Sequence, residues 1–306
     1  MVYSDFPINN CTGWGTLGTN IIKELTKFTG VKLFFKDRFQ SEDEFDYFFF
    51  KNLFVSQAEI EGILNGKITR VNEPFLTYPV YSFPEFSEPQ INLKGSKTVG
   101  YAVFEHNQLS QNDVDYFKTN FDIIVTACKW CEEALKNAGF TNVLSIPHGI
   151  DPLVFNPSYA EKEFFKEKFV VFSGGKFEFR KGQDIVIRAF KHLQDKYDDV
   201  LLVFSWYNPW KQSLETMHSS NLINFSIAAE DYIEQMFSVL VDNGIDINNV
   251  IPIMYHPNYM MPRIYRNTDI GLFPNRCEAG TNLVLMEYMA CGKPVIASYS
   301  SGNRDI

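Results

Sequence analysis

Two carboxylates, Glu278 and Glu287, bracket a run of small residues and a predicted helix start in Glu278-Ala-Gly-Thr-Asn-Leu-Val-Leu-Met-Glu287. A helix N-terminus offers amide groups without intrahelical acceptors and a partial positive charge, which makes it a seat for phosphate. An ionised carboxylate only accepts hydrogen bonds, so the flanking acids suit hydroxyl groups. Phosphate flanked by hydroxyls describes a nucleotide-sugar. A second segment, Ser173-Gly-Gly-Lys-Phe-Glu-Phe-Arg-Lys-Gly182, lies between a predicted strand and a predicted helix. Its glycines, Gly175 among them, let backbone approach a ligand. Lys176 and Lys181 can meet a pyrophosphate, each such charged hydrogen bond contributing about 1.5–3 kcal/mol.

Regular elements must hold these segments. In the second half, residues 169–173, 200–205, 250–254 and 269–273 read as strands. Residues 182–197, 228–243 and 261–267 read as helices, the first with Val186, Phe190, Leu193 and Tyr197 on one face. The first half follows the same rule. Residues 2–6, 31–35, 98–104, 122–126 and 142–146 read as strands, and 14–28, 56–65, 112–119 and 129–138 as helices. Ser56 with Glu59 spells a capping box. Residues 37–55 are mixed. Residues 73–97 hold four prolines and read as an irregular or edge segment. Strand–helix alternation predicts an α/β protein with parallel sheets covered by helices on both faces.

With 306 residues, two domains are expected, and 45% hydrophobic content supports well-filled cores. Residues 1–150 carry 13 Lys/Arg against 18 Asp/Glu, and the remainder 15 against 19, so neither half is basic. This argues against nucleic acid as a partner. There is no apolar stretch of membrane-spanning length and no signal-peptide pattern at the start, so a cytoplasmic protein without a transmembrane segment is expected. The five cysteines are scattered apart from Cys128-Lys-Trp-Cys131, which fits a predicted helix better than a metal or redox half-site.

The segment from Leu283 to Ser298, with its two flanking acids, resembles the donor-binding signature of family 4 glycosyltransferases, a retaining family with the GT-B fold. That signature has seven residues between its two glutamates. Here eight separate Glu278 from Glu287, so strict spacing puts Ala279 in the first slot and a one-residue bulge restores Glu278. Ser173 to Gly182 resembles the family's Gly-Arg-Leu-x-x-x-Lys-Gly motif, with Lys176 in the Arg slot and Lys181 in the Lys slot. Pro147-His-Gly-Ile-Asp-Pro-Leu-Val-Phe-Asn-Pro157 resembles the family's interdomain segment, with the helix-prone residues 158–167 following as a linker helix.

The resemblance implies two Rossmann-like domains facing each other across a cleft. Residues 1–155 would take the acceptor side and 156–306 the donor side, the latter shortened at its C-terminus. It implies transfer of a sugar from a nucleoside-diphosphate sugar, which serves as co-substrate, to an acceptor hydroxyl with retention. The acceptor, whether carbohydrate, lipid-linked or protein, stays open. No further cofactor and no metal is expected, since no Asp-x-Asp motif stands at a suitable place. Lys176 and Lys181 would stabilise charge developing on the leaving diphosphate. Gly280, Thr281 and Asn282 would supply backbone donors and a helix cap, with Leu283 beside them on the donor-binding side. Glu287 lies six residues after Thr281, a helical rise of about 9 Å, which suits a ribose diol. Glu278 would meet the donor-sugar hydroxyls. Gly13 and Gly15 resemble the family's Gly-rich loop after the first strand. Glu105 resembles a carboxylate found on the acceptor side, where His106 and His148 are further candidates.

Two other readings remain open. Gly13-Trp-Gly-Thr-Leu-Gly18 spells GxGxxG, with Asp37 placed where a ribose-binding acid is sought, and so suggests an NAD-dependent oxidoreductase. Residues 8–12, however, separate these glycines from the predicted strand. The stop at Ile306 suggests a non-catalytic nucleotide-sugar- or glycan-binding relative, or a truncated enzyme.

Overall fold

The computed structural model describes residues 1–9, 12–34, 44–78, 93–106, 108–159 and 161–306. The chain divides into two compact units, Met1–His148 with Asp305 and Gly149–Arg304 with Ile306.

The first unit contains strands β1 (Val2–Ser4), β2 (Val31–Leu33), β3 (Phe75–Thr77), β4 (Thr98–Ala102), β5 (Ile123–Thr126) and β6 (Val143–Ser145). Helices α1 (Gly13–Thr26), α2 (Glu44–Phe50), α3 (Gln57–Leu64), α4 (Gln111–Asn120) and α5 (Lys129–Asn137) run between them. All pairings are parallel, in the order β2-β1-β3-β4-β5-β6. The Ser56–Glu59 capping box forms at α3, satisfying donors at both ends of the box. Cys128 caps α5, and Cys131 sits within it; both are buried in the core.

The second unit repeats the plan with β7 (Phe169–Gly174), β8 (Val200–Ser205), β9 (Val250–Pro252), β10 (Ile270–Phe273) and β11 (Val295–Ala297). Its helices are α6 (Gln183–Gln194), α7 (Lys211–Glu215), α8 (Tyr232–Asp242), α9 (Met261–Arg266) and α10 (Leu283–Ala290). The parallel order is β11-β10-β7-β8-β9. Successive side chains of a strand point to opposite faces, so β7 and β8 feed two cores. Val171, Leu202 and Phe204 pack with Phe190 and Leu240 from α6 and α8. Phe172, Leu201 and Val203 pack with Tyr265 and Tyr288 from α9 and α10. The Phe172 and Tyr288 rings stack 5.2 Å apart. Strands covered on both faces read as unbroken apolar runs, as Val200–Ser205 does.

Three expectations change. The stretch read as irregular or edge contains β3, which pairs with β1 on one side and β4 on the other. It is anchored by Asp5, whose carboxylate accepts from the Thr77 hydroxyl (2.8 Å) and the Tyr78 amide (3.0 Å). Among the described residues of 158–167 there is no linker helix. A short 3-10 turn at Pro157–Tyr159 is followed by bends. The Asn267 side chain accepts the Glu163 and Phe164 amides, and Lys162 binds Asp269 at 2.7 Å, so distant partners take groups a helix would have used. Finally, α8 starts at Tyr232 rather than 228. Asp231 caps it, and Gln235 Oε1 accepts the Ala228 and Ala229 amides instead. Parts of the segments at 37–55 and 73–97, and Asp37, lie outside the described residues.

Candidate functional site

The strand order of the second unit reverses direction at β7 and β10, which lie side by side. In open α/β sheets the loops leaving such a pair part to opposite faces and open a crevice at the strands' carboxyl ends. The loop after β7 leads through a 3-10 turn, Phe179–Lys181, into α6, and the loop after β10 leads into α10. These are the two segments singled out by their residue types. Residues 97 positions apart in the sequence therefore meet.

Their meeting is electrostatic. Lys181 Nζ donates to Glu278 Oε1 at 2.6 Å. Arg180, which carried no expected role, donates from Nη1 to Glu278 Oε2 (3.2 Å) and from Nη2 to Glu178 Oε1 (2.6 Å). Lys176 lies 3.3 Å from Glu178 Oε2 and 4.9 Å from the Trp210 ring centroid. Three cations and two carboxylates thus alternate along one chain of contacts. Burial works against the charged Lys181 ammonium and holds its pKa below the ordinary lysine range, with Glu278 opposing that shift. Burial likewise acts to raise the Glu178 carboxyl, but Arg180, Lys176 and a hydrogen bond from Ser213 outweigh it and hold its pKa low.

Glu278 is buried, and Asn275 Nδ2 also donates to its Oε1 at 2.6 Å. The backbone at Glu278 is clamped by residues 301 and 302. Its amide donates to Ser301 Oγ (2.7 Å), and its carbonyl accepts from the Gly302 amide (3.1 Å). The residue beside the lysine loop is thus Glu278, while its neighbour Ala279 is packed away. Gly280 and Thr281 complete the turn, and Asn282 caps α10 by accepting the Leu285 amide at 3.3 Å. Leu283 opens the helix. Gly175 takes a positive φ of 108°, and its amide donates to the Ser205 carbonyl. That amide serves the fold, whereas the expectation had its backbone approaching a ligand.

Glu287, one turn into α10, is buried away from the charged cluster. Its Oε1 accepts from Asn258 Nδ2 (2.7 Å) and its Oε2 from the Tyr265 hydroxyl (3.3 Å). Burial pushes its carboxyl up to about 7, against the pull of those two hydrogen bonds. Burial, helped by Glu287, holds the Tyr265 phenol well above its ordinary range, so it stays a donor.

In the first unit, Gly13 is the first residue of α1 and Gly15 lies within its first turn. Thr12 caps the helix by accepting the Gly15 amide at 3.0 Å. A Cβ on Gly15 would lie 2.1 Å from the Asn9 side chain, and one on Gly18 2.0 Å from the Pro7 carbonyl oxygen. The spacing that spells a dinucleotide fingerprint therefore lets this loop lie flat on the helix. Glu105 and His106 follow β4 at its carboxyl end and are exposed. The His148 ring stacks on Tyr101 at 6.0 Å.

Among the described residues, no cluster of His, Cys, Asp and Glu is arranged to hold a metal ion, and no helix is long and apolar enough to cross a membrane. Arg180, Glu178, Asn275, Asn258 and Tyr265 were not singled out from the sequence. Only Glu178 and Arg180 had a signal there, as charges inside the lysine loop.

Residues 167–306, most of the second unit, match the family model for glycosyl transferases group 1. No curated protein matches the sequence. Among solved structures, HepE from Anabaena in complex with UDP-glucose is 15% identical with a TM-score of 0.64, over 99% of this chain and 82% of that one. Sucrose-phosphate synthase from Thermosynechococcus elongatus is 14% identical with a TM-score of 0.60, over 99% and 82%. A glycosyltransferase from Rickettsia africae is 11% identical with a TM-score of 0.61, over 98% and 79%. These likenesses show the fold, two Rossmann-like units of the GT-B class. With the family match on the second unit, they support a glycosyltransferase.

Proposed function

We propose that the chain is a retaining glycosyltransferase of family 4 type that moves a sugar from a nucleoside-diphosphate sugar to an acceptor hydroxyl. The observation that carries this reading is the lysine loop and the Glu278 loop meeting at the switch point, 2.6 Å apart at Lys181 and Glu278. A diphosphate placed at the mouth of α10 faces the first amides of the helix and the Lys181 and Lys176 ammonium groups. As the glycosidic bond to the sugar breaks, charge builds on the leaving diphosphate, and these fixed cations stabilise it. The Glu278 carboxylate accepts hydrogen bonds from the donor sugar, and Glu287, further along the helix, from the ribose diol. Glu287 does so best when ionised, because the protonated form loses acceptor capacity. Side-chain cations supply the charge in this scheme, so a chelator leaves donor binding and transfer unchanged.

Two of the similar structures hold UDP-glucose, or UDP with glucose. UDP-glucose is therefore the first donor to test, followed by UDP-N-acetylglucosamine and GDP-mannose. Lys181→Ala and Glu287→Ala are each expected to lower donor hydrolysis or transfer at least tenfold, the scale of one lost charged hydrogen bond of roughly 1.5–3 kcal/mol. Unchanged rates in both variants refute the assignment.

A further inference from the structure

We propose that Arg180 is a positioning residue that holds the Glu278 carboxylate in place while a donor diphosphate draws Lys181 away. The proposal rests on the donor-site reading above and adds a division of labour among its cations. In this structure, Lys181 is held by Glu278, the carboxylate proposed to face the sugar. For Lys181 to meet phosphate, that contact has to loosen. A buried carboxylate stripped of its partner is strongly unfavourable, so the exchange needs a second cation that stays behind.

Arg180 is built to stay. Its Nη2 is fixed 2.6 Å from Glu178, and its Nη1 reaches both Glu278 (3.2 Å) and the Cys277 carbonyl (3.1 Å). Glu178 is itself pinned, by the Ser213 hydroxyl and by Lys176, and is buried. The planar guanidinium spans two carboxylates, one from each loop, and turning it toward a ligand would break both ends. Lys181 differs in kind: a single ammonium on a flexible stem can change partners. Asn275, donating to Glu278 Oε1, completes the holder that remains when Lys181 leaves. Without Arg180, Glu278 keeps Lys181, and diphosphate binding weakens.

The test is a double-mutant cycle read by calorimetric titration with UDP, or with GDP or ADP should one of those be the nucleotide bound. In the wild-type background at pH 8, Arg180→Gln is expected to weaken binding roughly tenfold, within the range of coupling between residues that touch. Arg180→Lys is expected to restore part of that loss, because an ammonium can still face the Glu278 carboxylate. In the Glu278→Gln background no charge needs holding, so Arg180→Gln is expected to change affinity less than about twofold. An equal loss in both backgrounds overturns the proposal and makes Arg180 a direct phosphate ligand. Circular dichroism reports whether Arg180→Gln folds. If it does not, Arg180→Lys replaces it in the cycle, with the same contrast between backgrounds deciding. Wild-type protein that binds none of the three nucleotides refutes the donor-site reading itself, an outcome distinct from intact wild-type binding with an equal loss.

Discussion

Replacing Glu287 by Gln tests the burial of the α10 carboxyl without changing its shape. In the folded protein this group titrates at about 7, against an ordinary value of 4.5. Because the folded value is raised, the stability it contributes is fully present below pH 4.5 and is lost as pH rises to about 7. The whole interval corresponds to ~3 kcal/mol. Gln keeps an oxygen that accepts from Asn258 Nδ2, its amide nitrogen donates to the Tyr265 hydroxyl oxygen in place of the wild-type bond from that hydroxyl, and it does not titrate. The variant therefore escapes the loss. Subtracting wild-type from variant stability cancels every other titrating group. That difference is expected to move by about 2.5 kcal/mol in favour of Glu287→Gln between pH 5 and pH 8. Urea unfolding at pH 5, 6, 7 and 8, followed by the fluorescence of Trp206 and Trp210 in the same unit, supplies the measurement. Parallel stability curves, offset by a constant, refute the reasoning.

Gly302 lies so close to the donor loop that a Cβ would sit 1.7 Å from the Gly280 carbonyl oxygen. Gly302→Ala is expected to displace residues 278–280 and weaken nucleoside-diphosphate-sugar binding about tenfold, with overpacking costing roughly 1–3 kcal/mol; titration calorimetry and thermal melting check both. In the first unit, Gly18→Ala drives a Cβ to 2.0 Å from the Pro7 carbonyl oxygen, while Gly13→Ala meets nothing within 4 Å. Thermal melting is expected to show Gly18→Ala destabilised by roughly 1–3 kcal/mol and Gly13→Ala unchanged or slightly stabilised.

The sequence was most legible where local physics decides. The apolar period along α1, the Ser56–Glu59 box and the apolar runs of β7 and β8 depend on neighbours a few residues away, and each forms in place. Where distant groups intervene, local reading fails. Residues 161–167 have helical propensity, yet Asn267 and Asp269 take their amides and charges. The three-residue strand β3 has too little sequence to show a period and owes its place to Asp5, some seventy residues earlier. The site divides likewise. Lys176, Lys181, Glu278 and Glu287 stand out as types in a pattern. Arg180 looks like a surface charge until the strand order places it against Glu278. Asn258 and Tyr265 lie in segments with no motif, and only the packing of α9 against α10 reveals them as partners of Glu287.

The placement of β10 beside β7 also governs when the site comes into being. A chain is made from its N-terminus, and the lysine loop emerges 97 residues before the glutamate that pairs with it. In that interval β7 can pair with β8, and Glu178 has Arg180 and Lys176 as partners from its own loop. Lys181 must wait. Long-range parallel pairing is slow because loop closure precedes its reward, so the cluster is assembled late, when β10 docks beside β7. A nascent chain stalled before residue 278 can therefore carry much of the second sheet, yet its Lys181 lacks the Glu278 carboxylate it pairs with in the folded unit.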